Sequence, residues 1–398
     1  MSALLVLSLI VLAFSTALFI NSVWTLKKNY RLRVEHEALI ESNRISKAKL
    51  KPSDISQLGF CQKNVRSTEW VSYDALGLKV HTLSANVRIE ACDGAKGIEV
   101  RLTGTDEDLA LITVDGPVSS GGGPFRSNQF QDAENGLLSI QQQPMERLDN
   151  HRNICASGDI NIVDGIITWC VGPKILLPIE VRVPKGIPID VSTDDLGDIQ
   201  IGDVECEVRL TVNGSGNIKC DSVTSADITT NGSGDVNIDS VNGPLNVAMS
   251  GSGNVEIEHG TVQNLRVVAQ SSGSLSFGGT AKGKCLVTVS GKGDVVFDKI
   301  DSRTGYCAIR TNGSGSVYVN DLSATNVEVN DIGSGRVEVA KGQVNHVDIH
   351  VAGYGDVELN VTTETANVKI DGSGDVFIGE CKGVSTVRRN GSGIAKIN

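Results

Sequence analysis

The sequence predicts an all-β protein: a single-stranded β-helix, or solenoid, of about 20-residue coils, preceded by an N-terminal transmembrane helix and a helical stalk. Three observations carry this prediction. Gly-Ser-Gly and its degenerate copies recur along the chain, and the second glycine of each falls at Gly197, Gly216, Gly234, Gly253, Gly273, Gly293, Gly315, Gly335, Gly355, Gly374 and Gly393, in steps of 18 to 22 residues. The residue six before each of these marks is aliphatic in all eleven copies, from Val191, Leu210 and Ile228 to Val387; the residue four after is apolar in all eleven, from Ile201 and Cys220 to Ile397. Between these positions the side chains alternate, as in Asp235-Val236-Asn237-Ile238, which is the period of a half-buried strand on each side of a glycine turn. A helical reading fails, because nothing recurs every three to four residues and glycine interrupts throughout.

The elements follow in chain order. Residues 1–26 carry no charged side chain, and the run from Leu4 to Trp24 is long enough to cross a hydrocarbon core of about 30 Å. It reads as a membrane anchor rather than a cleaved signal peptide: there is no basic n-region, and the apolar run continues past the weak small-residue site Ser15-Thr16-Ala17. Residues 27–51 form a basic juxtamembrane segment with eight Lys or Arg against three Glu, a local charge of +5. Leu26, Tyr30, Val34 and Ala38 recur every four residues there, which reads as a helical stalk, either a solvated linker or a short helix-pairing seam. By the positive-inside rule this flank stays cytoplasmic.

Residues 52–186 contain strand-like runs such as Asn86-Val87-Arg88-Ile89-Glu90 and Pro178-Ile179-Glu180-Val181-Arg182-Val183, and read as an N-terminal β region capping the solenoid. A stray copy of the turn motif, Ser157-Gly158-Asp159, lies 39 residues before Gly197 and places Ile160 and Ile162 two coils ahead of it. Residues 187–398 are the repeats. One coil cannot bury its apolar face alone, but coils stacked at about 4.8 Å share a continuous core. Glycine suits the corners because it tolerates positive φ and leaves no Cβ where coils approach. Asn213, Asn231, Asn312 and Asn390, just before the glycines, are residues that also tolerate tight turns. The chain ends after the strand containing Ile397 with no cap in view, so self-association through the C-terminal coil is expected.

The Ile-Glu-Val-Arg-Leu run at 98–102, the Pro-Ile-Glu-Val-Arg-Val strand at 178–183 and the many Gly-Ser-Gly-Asp-Val copies resemble the head GIN domain family of autotransporter adhesins over about residues 80–398. The resemblance implies a right-handed β-helix on the cell envelope and an adhesive label, and it supplies no catalytic residues. It also implies an extracytoplasmic solenoid, opposite to the side expected from the basic flank.

The composition excludes some function classes. The chain has 398 residues, 44 Gly, only 3 Trp, 5 Tyr and 8 Phe, and a net charge of -11. So few rings imply a narrow core of Val and Ile. An acidic chain without clustered Lys and Arg has no counterion-releasing grip, so no nucleic-acid partner is expected. The column directly after the marks reads Asp198, Asn217, Asp235, Asn254, Ser274, Asp294, Ser316, Arg336, Asp356, Asp375 and Ile394. Arg336 does not suit an oxygen cage, so the column reads as a turn-stabilising polar ladder rather than a calcium site. Glu338 and Glu358 are adjacent three residues after their marks, as a solvated face produces by chance, and His346 and His350 sit about 13 Å apart on a strand, too far to share a metal. No catalytic, cofactor-binding or metal residues are therefore assigned, and no cofactor is expected. Of nine cysteines, Cys220, Cys285, Cys307 and Cys381 fall in apolar phases. Cys285 and Cys307 stack in consecutive coils, within disulfide range if the chain is exported and as buried thiols otherwise. The function expected is a non-enzymatic, membrane-anchored adhesive or structural binding module of the cell envelope, with a protein or glycan partner on its faces. The alternatives are a cytoplasm-facing membrane-tethered scaffold or signalling accessory and, remotely, a polysaccharide-acting enzyme.

Overall fold

The computed structural model describes residues 66–83, 85–95, 97–104, 106–115, 137–142, 160–163, 166–169 and 178–398. The anchor expected at 1–26 and the stalk at 27–51 lie outside them. Among the described residues no helix is long and apolar enough to cross a membrane; one helical turn spans Asp106–Leu109.

From residue 189 onward every strand pairs parallel with its equivalent one coil later. The aliphatic column six before the marks stacks rung on rung: Val191 on Leu210, Leu210 on Ile228, Ile228 on Val247 and so on to Val368 on Val387. The column four after the marks does the same, from Ile201 on Cys220 to Ile378 on Ile397. These side chains fill one continuous core and are sealed from water until the last coil. Each fully buried aliphatic rung contributes about 1.5–3 kcal/mol of hydrophobic stabilisation, so coil-to-coil repetition compensates for the thinness of the core. Phe277 and Phe297 are the widest members, packed edge to face with centroids 6.4 Å apart. Gly279 makes room for them, since a Cβ there would lie 2.7 Å from Phe277 Cζ.

The corner glycines are explained by close approach rather than by positive φ. The described glycines with positive φ are Gly94, Gly186, Gly260 and Gly283, and no corner mark is among them. A Cβ on Gly253 would instead sit 2.0 Å from the Gly234 carbonyl oxygen of the coil before it. The contact is repeated up the stack, so the requirement falls on each mark that has a corner beneath it.

The first coil is made by Gly77–Thr82 and Asn86–Ala91, which stack under Ile189–Thr193 and Ile199–Ile201. Its corner carries Ala85 instead of glycine. Beyond it Pro178–Val183 and Leu137–Gln142 still pair parallel with Asn86–Ala91 and Gly77–Thr82, and antiparallel strands come next: Ile98–Gly104 pairs with Pro178–Val183 and Val71–Tyr73, and Ile112–Asp115 pairs with Leu137–Gln142. They close the parallel stack on that side. Ile160–Val163 does not enter it, contrary to the 39-residue spacing, and forms a separate hairpin with Ile166–Trp169. The slot two coils below residues 199–201 is already filled, because Ile179 and Val181 pair there beneath Val87 and Ile89.

Candidate functional site

The polar column after the marks is a hydrogen-bonded ladder. Asn217 N donates to Asp198 Oδ1 (2.8 Å), Asp235 N to Asn217 Oδ1 (2.9 Å), Asn254 N to Asp235 Oδ1 (2.7 Å) and Ser274 N to Asn254 Oδ1 (2.9 Å). Further along, Ile394 N donates to Asp375 Oδ1 (2.8 Å). Each side-chain oxygen thus accepts a main-chain N–H that the corner would otherwise leave unpaired. At Arg336 the guanidinium cannot accept and turns instead to Glu338 and Glu358. A second ladder runs through the residues before the glycines: Asn231 Nδ2 donates to Asn213 Oδ1 (2.8 Å) and Ser250 Oγ to Asn231 Oδ1 (2.7 Å). These asparagines therefore link coils as well as bend the chain.

The reactive-looking residues are engaged in the same way. Glu338 and Glu358 stack as register partners, and Arg336 bridges both. His346 Nδ1 shares a hydrogen bond with Thr365 Oγ1 (2.7 Å), whereas His350 Nε2 meets Asp371 Oδ2 (2.9 Å). Asp371 also receives Lys369 and Asn390, and these donors, Lys369 foremost, hold its carboxyl well below the usual range. Among the described residues no group of three or more His, Cys, Asp or Glu is placed to hold a metal ion. Cys285 and Cys307 are register partners, both free and fully buried. Their mutual hydrogen bond and burial push the Cys285 thiol well above its ordinary value, which keeps it protonated and inert.

Three features were not read from the sequence. Trp70 lies between Arg182 and Arg101, whose guanidinium carbons are 4.0 and 4.7 Å from the ring centroid; Glu180 pairs Arg101 and Glu99 pairs Arg182, so the cluster is charge-balanced. Asp331 is buried in an inward column otherwise occupied by Thr, Val, Met, Ala and Ile, and burial raises its carboxyl pKa. The third is a cleft of about 570 Å³ along one face of coils 306 to 386, beginning at Tyr306. Its signal in the sequence is the 22-residue step from Gly293 to Gly315, the longest in the repeat.

In neighbouring coils one strand runs unbroken through this region, as in Val317–Asp331 and Val337–Val351. In the long coil it is interrupted between Val295–Ser302 and Cys307–Thr311. The extra residues turn outward, braced by Gly305 N to Ser302 O (3.0 Å) and Thr325 Oγ1 to Arg303 O (2.7 Å). They present Tyr306, whose hydroxyl donates to Glu328. Burial, then Glu328, raises this phenol to about 12.

Continuous parallel coils, glycine corners and side-chain ladders define the chain as a β-solenoid repeat protein. Residues 198–302 and 299–398 match the family described as "Putative auto-transporter adhesin, head GIN domain". The chain belongs to the head GIN domain family. Its fold is also similar to solved structures described as a "putative adhesin" from Parabacteroides merdae (13% identity, covering 74% of this chain and 95% of that one, TM-score 0.36) and one from Bacteroides fragilis (12%, 84% and 98%, 0.25). A "putative cell adhesion protein" from Clostridium sporogenes is similar at 10% identity, covering 64% of this chain and 97% of that one, with a TM-score of 0.23. With TM-scores this low, the fold rests on the chain's own coil pairing. No curated protein matches the chain.

Proposed function

We propose that the chain is a non-enzymatic adhesive or structural rod of the cell envelope, a right-handed solenoid held outside the cytoplasm by a membrane anchor from Leu4 to Trp24. The family's adhesin description carries this reading. It is supported by the engagement of the candidate acid and imidazole groups, Glu338, Glu358, His346 and His350, in pairs between and within coils. The basic flank at 27–51 favours a second reading, a cytoplasm-facing tethered scaffold. Two C-terminal reporter fusions test the choice, one active only outside the cytoplasm and one only inside, together with adherence of the expressing cells. Activity of the outside reporter and loss of adherence on deleting the chain are expected. Activity of the inside reporter alone would sink the envelope reading.

The same reading includes pairing of two copies. Val376–Arg389 has no further coil stacked on residues 382–389 among the described residues, and Val384 and Val387 are 71% and 43% exposed. Since antiparallel strands close the other end, a second copy has this same edge to offer, giving an isologous dimer. Sedimentation is expected to show a concentration-dependent dimer that Val387→Lys abolishes. A strictly monomeric wild type removes this part of the reading.

A further inference from the structure

We propose that the cleft beginning at Tyr306 is a binding site for an uncharged oligosaccharide, laid along the solenoid axis. The proposal names the partner class for the adhesive reading above and rests on it. It starts from the one coil that departs most from the repeat. A solenoid stacks best when coils are equal, so an insertion that breaks a continuous strand and presents a ring marks a place where a local rule yields to function. Here the insertion is Arg303 to Tyr306, and the cleft begins at its ring.

Below the ring two outward columns flank a buried floor. On one side Asn326, His346 and Thr365 are successive register partners; on the other, Glu328, Asp348 and Asn367 are. Between them run Val327, Val347 and Ala366, each at most 3% exposed. The columns repeat at the coil spacing of about 4.8 Å, close to the length of one sugar ring. From Tyr306 to Thr386 the cleft crosses five coils, or about 19 Å, which suits a short chain of sugars rather than a single one.

The chemistry selects among ligands. Amide, imidazole, hydroxyl and carboxylate groups offer the mixed donors and acceptors that vicinal sugar hydroxyls need. Several are oriented by their neighbours: Asn367 Nδ2 donates to Asp348 Oδ1 (3.2 Å), and His346 Nδ1 meets Thr365 Oγ1 (2.7 Å), so imidazole Nε2 and the second Asp348 oxygen remain for a ligand. The side chain of Asn326 makes no hydrogen bond among the described residues, although its main chain lies in the strand. Tyr306 supplies an apolar ring face with a polar edge, the amphipathic surface on which the C–H face of a sugar stacks. An anionic polymer is disfavoured by Glu328 and Asp348, because no Lys or Arg lines the cleft. The cations beside Tyr306 are engaged, Arg310 on Glu328 and Arg303 on Asp301. An extended peptide would bind by adding a strand, but the main-chain groups at 327–328, 346–348 and 365–367 pair with the coils on either side, which leaves a free edge only at the last coil. An apolar tail finds exposed apolar surface only at the two ends, at Tyr306 and Val384, with a buried floor between them.

The test uses the full chain in a detergent that contains no sugar, applied to immobilised unbranched glucan, mannan and galactan fragments and to matched sulfated and uronic-acid chains. Retention on at least one neutral fragment is expected, with none on the anionic set. Tyr306→Ala should weaken it about threefold to tenfold, the scale of one lost ring contact. Asn367→Ala, on a separate strand, should weaken it as well, so misfolding of one variant, seen by circular dichroism, leaves the other to decide. No retention on any neutral fragment, preference for the anionic chains, or equal binding by two folded variants overturns the proposal. Cell adherence that survives Tyr306→Ala overturns the cleft alone. Saccharide binding without adherence supports the cleft and overturns the adhesive reading alone.

Discussion

Replacing Gly253 by Ala is expected to cost about 4 kcal/mol or more, in the range reserved for severe defects. The added Cβ would lie 2.0 Å from Gly234 O and 2.8 Å from Gly234 C, both main-chain atoms of the preceding coil. No rotamer relieves a main-chain clash, so the coils must separate. Separation strains Ser252 N to Gly232 O (2.8 Å) and the ladder bond from Asn254 N to Asp235 Oδ1 (2.7 Å). In a stack whose stability is a sum of nearest-neighbour interfaces, one failed interface uncouples the coils on either side. Denaturant titration should therefore show either a much lower midpoint or two transitions. The control is Gly94→Ala, where nothing lies within 4 Å but φ is +84°, so only conformational strain of about 1 kcal/mol is expected. If Gly253→Ala is no worse than that control, the close-approach explanation of the repeat is wrong.

Asp331→Thr should do the opposite and stabilise the protein by about 1–3 kcal/mol at neutral pH, the cost of an unsatisfied buried polar group. Asp331 is fully buried between Thr311 and Val351. Its Oδ1 accepts from Thr311 Oγ1 (2.5 Å) and Gly333 N (3.2 Å), whereas beside Oδ2 the main-chain N–H of Gly355 is shared with the carbonyl of Gly333 (3.3 Å) and leaves that oxygen without a well-formed hydrogen bond. Threonine already occupies this column at Thr193, where its hydroxyl donates to the carbonyl of Gly197 four residues on (3.0 Å), whereas the hydroxyls of Thr82 and Thr230 have no partner, so the gain requires the bond seen at Thr193. The equivalent carbonyl at 331 is that of Gly335. The pH dependence has a definite sign. Burial raises the folded carboxyl pKa, so the penalty is absent below the unfolded value of about 3.9 and grows as pH rises through the folded one. The gain from Asp331→Thr should therefore be large at neutral pH and shrink toward about pH 4. Paired urea titrations at the two pH values check this; a gain independent of pH would assign the effect to packing instead.

What the sequence revealed and what it concealed have one physical origin. Columns such as Val191 to Val387 were legible because every coil solves the same packing problem with the same residue class, and repetition turns a weak local signal into a strong one. The first coil was hidden because Leu78 pairs with Ile189 across 111 residues, and because its corner carries Ala85 where the corner marks above it carry glycine. The antiparallel closing strands do not repeat, so nothing marked them. On the faces, Glu338 beside Glu358 could be read from spacing, but its neutralisation by Arg336 depends on side-chain reach. The cleft announced itself only as a coil of 22 residues, and a length carries no direction: three dimensions were needed to show that the surplus turned outward and carried Tyr306 with it.

The corner ladder also gives the rod an arrow. At each step from Asn217 to Ser274 the N–H of the later coil seeks the side-chain oxygen of the earlier one, and Ser233 and Ser252 point their amides the same way, to Gly214 and Gly232. For these corner bonds a chain emerging N-terminus first finds the acceptor finished before the donor arrives, whereas the amides of Ile218, Val236 and Val255 wait for carbonyls of the next coil. Such a molecule can be laid down like courses of brick, each row seated by its corner on the one beneath and completed by the one above.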